Sequence, residues 1–319
     1  MFPLLERFPA LASLERVELC TLPSPIQRVN LPGAEEIWIK RDDLNAPLCG
    51  GNKVRSLEFL LGGLREGDTV YTVGGAGSTH VLCTAIHAAR IGVRLDARRW
   101  PHDMNPVADI VSSRVTTMVS RPPGRSAPGA MIRTSWEASR TRSRFIPVGG
   151  STPLGALGHV NGGLELAEQI TRGEIPMPDC IVVPLGSGGT AAGLLLGLAI
   201  AGLPISVVGA RVGPRFFVNR FAVMRLARRT ARLIESVTGE RLPPIDVARL
   251  RIAQHVYGGA YGRPLREAAE AANILQNATG IQLDDTYSAK AWVAAMDETR
   301  QSKGVTLFWL TFDARCLTN

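Results

Sequence analysis

The run Cys180-Ile-Val-Val-Pro-Leu-Gly-Ser-Gly-Gly-Thr-Ala-Ala-Gly-Leu194 is the most informative part of the sequence about the fold. Its first six residues have the composition of a buried strand, and a glycine-rich turn then leads into the start of a helix. Such a turn lets the backbone approach a ligand closely, and the free N–H groups of the helix N-terminus attract an anion. Glycine-rich turns also arise for packing alone, and this one is neither a Walker A loop nor a GxGxxG motif. The residues of the predicted phosphate-binding turn are Gly186, Ser187, Gly188, Gly189 and Thr190.

Two further turns of the same kind occur upstream. Cys49-Gly-Gly-Asn-Lys-Val-Arg55 opens a helix at a glycine pair, and Gly74-Gly-Ala-Gly-Ser-Thr-His80 again joins a strand to a helix. Ligands of α/β sheets bind in the crevice at the ends of the strands. The three turns together therefore predict a binding crevice more specifically than any one of them does.

Lysine is scarce in this chain, which contains only Lys40, Lys53, Lys290 and Lys303. The positive end of a helix dipole disfavours an ammonium ion, so Lys53, at a turn that opens a helix, is the best candidate for a nucleophilic amine. A surface ion pair with the following Arg41-Asp42-Asp43 accounts for Lys40. We expect Lys290 and Lys303 to lie on or beside a polar helix face.

Short β-rich runs alternate with longer helical patterns along the rest of the chain. The predicted strands are 37–40, 69–73, 93–97, 145–148, 180–184, 205–210 and 305–311. The predicted helices are 54–64, 80–91, 157–170, 190–201, 218–237, 265–278 and 289–301. This alternation indicates parallel sheets covered by helices, an α/β fold. The stretch 114–144, which includes Arg121-Pro-Pro-Gly124, is rich in Arg, Ser, Thr and Pro and is predicted to be loop or poorly ordered.

The length and composition are those of a globular protein. The 319 residues, of which 45% are hydrophobic and 20% charged, suffice for one or two domains with large cores. The longest apolar run, 194–205, is interrupted by Gly197, Gly202 and Pro204 and is too short to cross a membrane. The N-terminus lacks the pattern of a secretory signal, so we expect a cytoplasmic protein with no membrane partner.

The formal net charge of +8 raises the question of a polyanionic partner. Arg225, Arg228, Arg229 and Arg232 share one helical face, but no aromatic residues are interleaved with them for stacking on bases. We therefore predict a solvated face and no nucleic-acid partner. The five cysteines show no CxxC pair or other metal-ligand spacing, which predicts reduced, mostly buried thiols and no metal site.

The three turns and their surroundings resemble the D-cysteine desulfhydrase and 1-aminocyclopropane-1-carboxylate (ACC) deaminase family of pyridoxal-phosphate (PLP) enzymes. The matching stretches are Ile39-Lys-Arg-Asp-Asp-Leu44, Gly50-Gly-Asn-Lys-Val-Arg55, Val148-Gly-Gly-Ser-Thr-Pro-Leu-Gly-Ala-Leu-Gly158, the turn at 186–193 and Tyr261-Gly-Arg-Pro264. The resemblance spans nearly the whole chain and is weakest from 102 to 144. It implies the tryptophan synthase β-like fold (fold type II), a three-layer α/β architecture with two lobes. Residues 1–50 and 150–319 would form the large PLP-binding domain, and residues 51–149 the small domain.

The resemblance also implies roles for individual residues. Lys53 would be the lysine that joins PLP, and Thr311 would meet the pyridine nitrogen. The implied catalytic residues are Lys53, Ser78, Tyr261 and Tyr287. The implied cofactor-binding residues are Lys53, Asn52, Thr79, Gly186, Ser187, Gly188, Gly189, Thr190 and Thr311. The loop that receives the substrate carboxylate would contain Ser78, Thr79 and His80.

Departures from the family pattern bear on the reaction. The deaminases have a glutamate after the second tyrosine, whereas Ser288 follows Tyr287 here, which favours the desulfhydrase branch. In the carboxylate loop, this chain has Thr79 at the position where the family usually has an asparagine. In the last strand the usual His-Thr-Gly-Gly becomes Leu310-Thr-Phe-Asp313, which places the bulk of Phe312 close to the ring.

The resemblance thus implies a PLP-dependent lyase similar to D-cysteine desulfhydrase. Such an enzyme carries out α,β-elimination on a small β-substituted amino acid and yields a keto acid and ammonia. A PLP-dependent racemase, a β-replacing synthase and an ACC deaminase-like enzyme are alternatives, and a catalytically silent PLP-binding partner protein would account for Thr79 and Phe312. By analogy with the family we expect a homodimer.

Overall fold

The computed structural model describes residues 2–32, 34, 36–119, 124, 126–302 and 304–317. The strands in this part of the chain are β1 (Ile26–Arg28), β2 (Ile37–Arg41), β3 (Thr69–Gly75), β4 (Arg94–Trp100), β5 (Arg144–Ile146), β6 (Cys180–Leu185), β7 (Ser206–Arg211), β8 (Leu250–Ala253) and β9 (Thr306–Leu310). The helices are α1 (Pro3–Arg7), α2 (Asn52–Leu60), α3 (Thr79–Arg90), α4 (Pro106–Met118), α5 (Ala127–Arg140), α6 (Pro153–Thr171), α7 (Gly189–Ile200), α8 (Arg220–Thr238), α9 (Arg266–Thr279) and α10 (Ser288–Ser302).

These strands form two sheets. The larger sheet has the strand order β1-β2-β9-β6-β7-β8, and all neighbours run parallel except β1 and β2. The smaller sheet has the order β4-β3-β5 and is parallel throughout. Strands β6 and β9 lie inside the larger sheet and are buried along their whole lengths, which explains their continuous apolar sequences.

Helices cover both faces of the larger sheet. Alternate residues of β9 point to opposite sides, as the geometry of a strand requires. Phe308 belongs to the same apolar cluster as Trp292 of α10, whereas Leu307 belongs to a second cluster with Leu194 of α7 and Ala227 of α8. The chain therefore has the three-layer α/β fold that the sequence predicts.

Each of the three glycine-rich turns follows the carboxyl end of a parallel strand or lies beside one. The first residue of α3 comes four residues after β3, and α7 begins four residues after β6. The turn before α2 lies beside the end of β9, because Gly51 forms an antiparallel bridge with Phe312. The fold thus brings the turns to the strand ends where α/β proteins bind ligands.

The prediction of loop or poor order over residues 114–144 is wrong for most of that stretch. Its start lies in α4, and α5 occupies most of its second half. The buried face of each helix is narrow and is formed by small side chains, which include Ala108, Val111, Ala130 and Thr134. The high content of Arg and Ser hid this narrow apolar stripe. The predicted loop residues Arg121, Pro122 and Pro123 lie outside the described residues.

The prediction that Lys40 forms a surface ion pair is wrong, because its side chain is fully buried. Its Nζ donates to the carbonyl oxygen of Ser24 at 2.7 Å and to Glu165 at 2.5 Å, and it also contacts the side-chain oxygen of Gln169. The neighbouring Arg41 pairs with Asp43 instead, at 2.7 Å. The partner of Lys40 is thus a residue on α6, far away in sequence.

Arg55 on α2 extends this buried network. Its guanidinium donates to Asp42 at 2.7 and 2.8 Å and to Glu165 at 2.9 Å. Trp309 of β9 donates its indole N–H to Asp42 at 2.6 Å. The two cations of the network balance its two carboxylates, as buried charges require. The network joins β2, α2, α6 and β9, and it fixes the helix that carries Lys53.

Lys290 also departs from its predicted surface position. Its side chain is buried, and Nζ donates to the carbonyl oxygen of Tyr257 at 3.1 Å. The small side chains on both sides of it, Ala289 and Ala291, let α10 pack closely and enclose the lysine stem. Lys303 lies outside the described residues.

The predictions for the exposed arginines and for the cysteines agree with the structure. Arg225, Arg228, Arg229 and Arg232 of α8 are all exposed, which confirms the predicted solvated face. The five cysteines are free, and all but Cys20 are buried. No helix in the described part of the chain is both long and apolar enough to cross a membrane.

The buried network gives a stability prediction. Replacing Glu165 with Gln removes a carboxylate from two buried cations, and we expect a loss of about 3 kcal/mol in the free energy of unfolding. Glu168→Gln on the same helix is the control, because Glu168 pairs with Arg172 at the surface at 3.5 Å. That variant should change stability by less than about 1 kcal/mol. Urea unfolding followed by tryptophan fluorescence measures both, and equal losses would contradict the prediction.

Candidate active site

Lys53 lies in the first turn of α2, directly after the glycine pair. Gly51 has a φ of +117°, and a side chain there would collide with the carbonyl oxygen of Thr311, so only glycine fits. Among the described residues, no hydrogen-bond acceptor or carboxylate engages the amine of Lys53. Burial lowers the pKa of Lys53 to about 8, which leaves an appreciable fraction of the amine neutral near pH 7.

The other two lysines that the structure describes are occupied. Lys40 donates to Glu165, and Lys290 donates to the carbonyl oxygen of Tyr257. Burial lowers the pKa of Lys290 to about 8, and the nearby carboxylates of Asp284 and Asp285 oppose that effect only in part. A buried amine without an anionic partner is available for covalent chemistry, whereas a paired one is not. Of the lysines that the structure describes, Lys53 is therefore the one whose amine has no hydrogen-bond partner.

The lysine and the glycine turn after β6 meet across Gly149. A methyl group placed on Gly149 would lie 2.1 Å from Ser187 Oγ and 3.5 Å from Lys53 Nζ. Gly149 has a φ of +66°, so the backbone as well as the lack of space requires glycine. The amine and the predicted phosphate turn, far apart in the sequence, thus face the same small space.

The turn itself has the features of an anion site. Gly188 takes the left-handed conformation with φ of +87°, and α7 starts at the next residue. The N–H groups of Ser187 and Gly188 donate to no acceptor within the described ranges, so they are free for a ligand. Free N–H groups at a helix N-terminus suit a phosphate group, and the neighbouring amine suits an aldehyde. The residues present therefore fit PLP.

Ser151 is a turn residue that the sequence reasoning did not single out. Its hydroxyl accepts from the N–H of Gly189 at 3.1 Å and donates to Ser187 at 2.7 Å. It fixes the turn from the opposite side, which places the Ser187 hydroxyl toward the amine. The signal was present in the sequence, because Ser151 lies within the Val148-Gly-Gly-Ser motif.

Asn52 connects the lysine helix to the phosphate turn. Its side-chain amide donates to the hydroxyl of Thr190 at 2.8 Å. The hydroxyl of Thr190 lies 3.5 Å from His159, whose Nε2 is 2.9 Å from Ser56 on α2. Burial, together with the nearby cations Lys53 and Arg55, lowers the pKa of His159 well below its usual range, so its ring is neutral. The hydrogen bonds that link Asn52, Thr190, His159 and Ser56 are therefore all between uncharged groups.

The turn after β3 brings Ser78, Thr79 and His80 to the start of α3. The hydroxyl of Ser78 caps the helix by accepting from the N–H of Val81 at 3.4 Å. The ring of His80 points to Thr72 of β3, and its Nε2 lies 3.0 Å from that hydroxyl. Burial lowers the pKa of His80 to about 3. Its ring is therefore neutral, and the first turn of α3 presents backbone N–H groups rather than a positive side chain to an anion.

Tyr261 and Tyr287 form a hydroxyl pair on the other side of this turn. Their two hydroxyl groups hydrogen-bond directly, and their rings meet edge to face with centroids 6.0 Å apart. Burial raises the pKa of Tyr261 to about 12 and that of Tyr287 well above its usual value, although the Thr79 hydroxyl counteracts the latter in part. Both phenols are therefore protonated at neutral pH and can donate protons.

Tyr287 contacts both the glycine turn at Gly186 and the loop that carries Thr79. The edge of its ring would lie 3.7 Å from a methyl group on Gly186, and its hydroxyl contacts Thr79. The structure thus places the tyrosine pair between the phosphate turn and the loop at Ser78. Contacts at Gly149, Gly186 and Thr79 thus connect Lys53, the glycine turn and the tyrosine pair.

His102 is a further residue near the tyrosines that sequence reasoning missed. Its ring lies 5.0 Å from that of Tyr261, and its Nε2 accepts from the N–H of Gly77 at 3.1 Å. His102 follows β4 in the part of the chain where the family resemblance is weakest, so no motif marked it. It holds the turn after β3 against Tyr261.

The segment after β9 clamps the turn that carries Lys53. The carbonyl oxygen of Thr311 accepts from the N–H of Asn52 at 3.1 Å, and the buried carboxylate of Asp313 accepts from the N–H of Gly50 at 3.0 Å. Arg315 pairs with Asp313 at 2.8 Å and donates to the carbonyl oxygen of Asp43. The backbone on both sides of Gly51 is thereby fixed, and with it the direction of the lysine side chain.

Phe312 is part of the same segment. Its side chain is buried in an apolar cluster with Cys49, Leu57 and Cys83. The side chain of Phe312, which the sequence predicts to lie close to the cofactor ring, thus packs in an apolar core beside the small side chain of Cys49.

The lowered pKa of Lys53 predicts the pH dependence of cofactor uptake. Only the neutral amine attacks an aldehyde, so the rate at which cofactor-free protein takes up PLP should rise with pH and level off above about pH 8. An amine at the ordinary value of 10.5 would still gain rate up to pH 10. Stopped-flow absorbance measures the rate, and Lys53→Ala should take up none covalently.

The clamp predicts local loosening in Asp313→Asn. Loss of the charged acceptor weakens the hydrogen bond to Gly50, and we expect amide exchange in the segment 49–53 to accelerate about tenfold. Hydrogen exchange read by mass spectrometry tests this. The control is Asp297→Asn, which removes a partly exposed partner of His255 and Arg300. Unchanged exchange in the 49–53 segment of Asp313→Asn would contradict the clamp.

Comparison with known proteins identifies the family. The profile described as "Pyridoxal-phosphate dependent enzyme" matches residues 17–311. Nocardicin C-9' epimerase from Nocardia uniformis subsp. tsuyamanensis is 35% identical, over 96% of this chain and 94% of its own. D-cysteine desulfhydrase from Salmonella choleraesuis is 32% identical, over 94% of this chain and 91% of its own.

A solved structure agrees with these sequence matches. A crystal structure of an ACC deaminase homologue superposes with a TM-score of 0.79 at 29% identity, and covers 96% of this chain and 94% of the other. The profile match and the relatives therefore extend over nearly the whole chain rather than over one motif. The chain belongs to the family of pyridoxal-phosphate dependent enzymes, in the group that includes D-cysteine desulfhydrase and ACC deaminase.

Proposed function

We propose that this enzyme is a PLP-dependent lyase that carries out α,β-elimination on a small β-substituted amino acid and releases a keto acid and ammonia. The observation that carries the proposal is the hydrogen-bonded hydroxyl pair of Tyr261 and Tyr287 next to the glycine turn at Gly186, a turn that the amine of Lys53 also approaches across Gly149. Elimination requires a base for the α-proton and an acid for the leaving group. The site offers one of each.

Bound PLP supplies an electron sink for the pair of electrons left when the α-proton is removed. The neutral amine of Lys53 takes that proton at Nζ, because its lowered pKa makes it a base near neutral pH. The N–H groups at the start of α3 and the hydroxyl of Ser78 hold the substrate carboxylate, with Thr79 and His80 in the same turn. Tyr261 or Tyr287 gives a proton to the β-substituent as it departs.

The remaining predicted residues bind the cofactor in this proposal. The turn Gly186 to Thr190 would hold the phosphate group, and Asn52 and Thr79 would contact the ring. Thr311 would offer a neutral hydroxyl to the ring nitrogen, and Ser288 stands where the deaminases have glutamate, so neither residue would bring a carboxylate to that nitrogen. A neutral partner there would favour prompt loss of the β-substituent.

An epimerase is the second candidate, and the 35% identical nocardicin C-9' epimerase is the observation that favours it. Epimerisation needs the same base on one face of the α-carbon and a proton donor on the other. The tyrosine pair could protonate the α-carbon as well as a departing β-substituent, because both phenols keep their protons at neutral pH. Formation of keto acid therefore separates the two candidates.

The test is a panel of D- and L-amino acids with thiol, chloride, sulfonate or hydroxyl substituents at the β-carbon, assayed for keto acid. We expect turnover of at least one member, with a thiol as the leading leaving group. Tyr261→Phe and Tyr287→Phe should each lower kcat by roughly 100-fold or more. Lys53→Ala should lose both turnover and the absorbance band expected at roughly 410 to 430 nm for lysine-bound PLP.

The outcomes separate the candidate functions. Exchange of the α-hydrogen in deuterated water with inversion and no keto acid would replace the lyase by an epimerase or racemase. A normal absorbance band with neither reaction would favour a β-replacing synthase or a silent PLP-binding protein. Turnover by Lys53→Ala with an intact band would exclude Lys53 as the anchor.

Three expectations from the sequence stay predictions. They are the division into residues 1–50 with 150–319 and residues 51–149, the homodimer and the cytoplasmic location. Analytical ultracentrifugation measures the assembly state directly.

A further inference from the structure

A cavity of about 850 Å³ opens at the carboxyl ends of β7 and β8, beside the site described above. Its lining includes three guanidinium groups, from Arg211, Arg215 and Arg220, and the aromatic rings of Phe216 and Phe221. This volume lies within the range of small-molecule sites in proteins. None of these residues has a role in the proposed reaction.

In the part of the chain that the structure describes, no acidic side chain balances the positive charge of the cavity. No acidic side chain lines it, and in the described ranges none of the three guanidinium groups pairs with a carboxylate. Arg220 instead donates to the carbonyl oxygens of Val247 and Leu250. The Nε of Arg211 is buried and has no acceptor among the described residues. A buried donor without an acceptor is costly, and the guanidinium groups that line the cavity can offer their other N–H groups to an anion.

The walls also expose apolar surface. Phe216 and Phe221 are 84% and 74% exposed, and the adjacent Phe217 is 71% exposed. Large aromatic side chains so concentrated at the surface mark a site of interaction. A ligand that covers the rings and neutralises the arginines must combine an apolar group with an anionic group.

The cavity shares structural elements with the active site. Arg211 pairs in register with Leu185, the residue before the phosphate turn. Methyl groups placed on Gly186 and Gly188 would lie 3.7 Å from Val212 and 3.2 Å from Val223, which flank the cavity loop.

A second connection runs through Tyr257. The guanidinium of Arg211 lies 4.4 Å above the centre of the Tyr257 ring, four residues before Tyr261. Arg211 therefore contacts residues next to both the phosphate turn and the tyrosine pair.

We propose that this cavity binds an organic anion, a carboxylate or sulfonate joined to an aromatic or extended apolar group. The anion contacts Arg211, Arg215 and Arg220, and the apolar part covers Phe216 and Phe221. Two sources share this chemistry, the distal end of a larger substrate and a separate small ligand. The inference goes beyond the elimination reaction and does not rest on it.

Calorimetric titration of the PLP-loaded protein with 4-phenylbutyrate tests the proposal. Butyrate lacks the ring and 4-phenyl-1-butanol lacks the charge, so both should bind at least tenfold more weakly than 4-phenylbutyrate. Arg211→Gln and Phe221→Ser should each weaken 4-phenylbutyrate at least tenfold. The matched control is Arg232→Gln, an exposed arginine of α8 that does not line the cavity, and it should leave the affinity unchanged. Circular dichroism and the PLP absorbance band verify that each variant is folded and loaded.

Repeating the titration with saturating D-alanine identifies the source of the ligand. Competition assigns the cavity to the distal end of the substrate, and independent binding assigns it to a separate ligand; either result supports the anion site. Equal binding of all three probes, or an equal loss in Arg232→Gln, would overturn it. So would absence of binding together with a fall from dimer to monomer in Phe221→Ser, since the rings would then form a subunit interface. These readouts do not depend on turnover, so failure of the lyase proposal leaves them intact.

Discussion

The guanidinium of Arg55 lies between Asp42 and Glu165 inside the protein, and these buried ion pairs hold the larger sheet, α2 and α6 together. Burying four charged groups is costly, and their attraction offsets that cost only in one geometry, with every donor facing an acceptor. That geometry joins the larger sheet to α2 and α6. Because Lys53 lies two residues before Arg55, the network also sets the rotation of the helix that presents the amine.

The lysines show how environment decides the chemistry of one side chain. Lys40 is buried against a carboxylate and is a structural cation, whereas Lys53 is enclosed without any anion and has a pKa lowered to about 8. Burial lowers the pKa of both amines, but the Glu165 carboxylate opposes this effect at Lys40 and no carboxylate does so at Lys53. Lys290, whose pKa is also lowered to about 8, donates to a carbonyl oxygen, so among the described lysines only the amine of Lys53 has no hydrogen-bond partner.

The cleft around that amine is built mainly from neutral hydrogen-bonding groups. His80 and His159 are neutral because of burial, and Tyr261 and Tyr287 keep their protons for the same reason. A bound phosphate and a substrate carboxylate would therefore meet backbone N–H groups and hydroxyls rather than positively charged histidines. The nearby cavity at Arg211 has the opposite character, since its charge is positive and unbalanced, and this contrast suits it to a different part of a ligand.

The strand–turn–helix units, the glycine positions and the candidate amine of Lys53 could be predicted from the sequence. These features depend on residues adjacent in the chain, whose spacing and backbone requirements are visible in the sequence. The burial of Lys40, the two helices within 114–144 and the contacts by which Ser151, His102 and Asp313 support the site are visible only in the folded structure. Burial and hydrogen bonding join residues more than a hundred positions apart, such as Lys40 and Glu165, and no local pattern encodes which distant group will arrive.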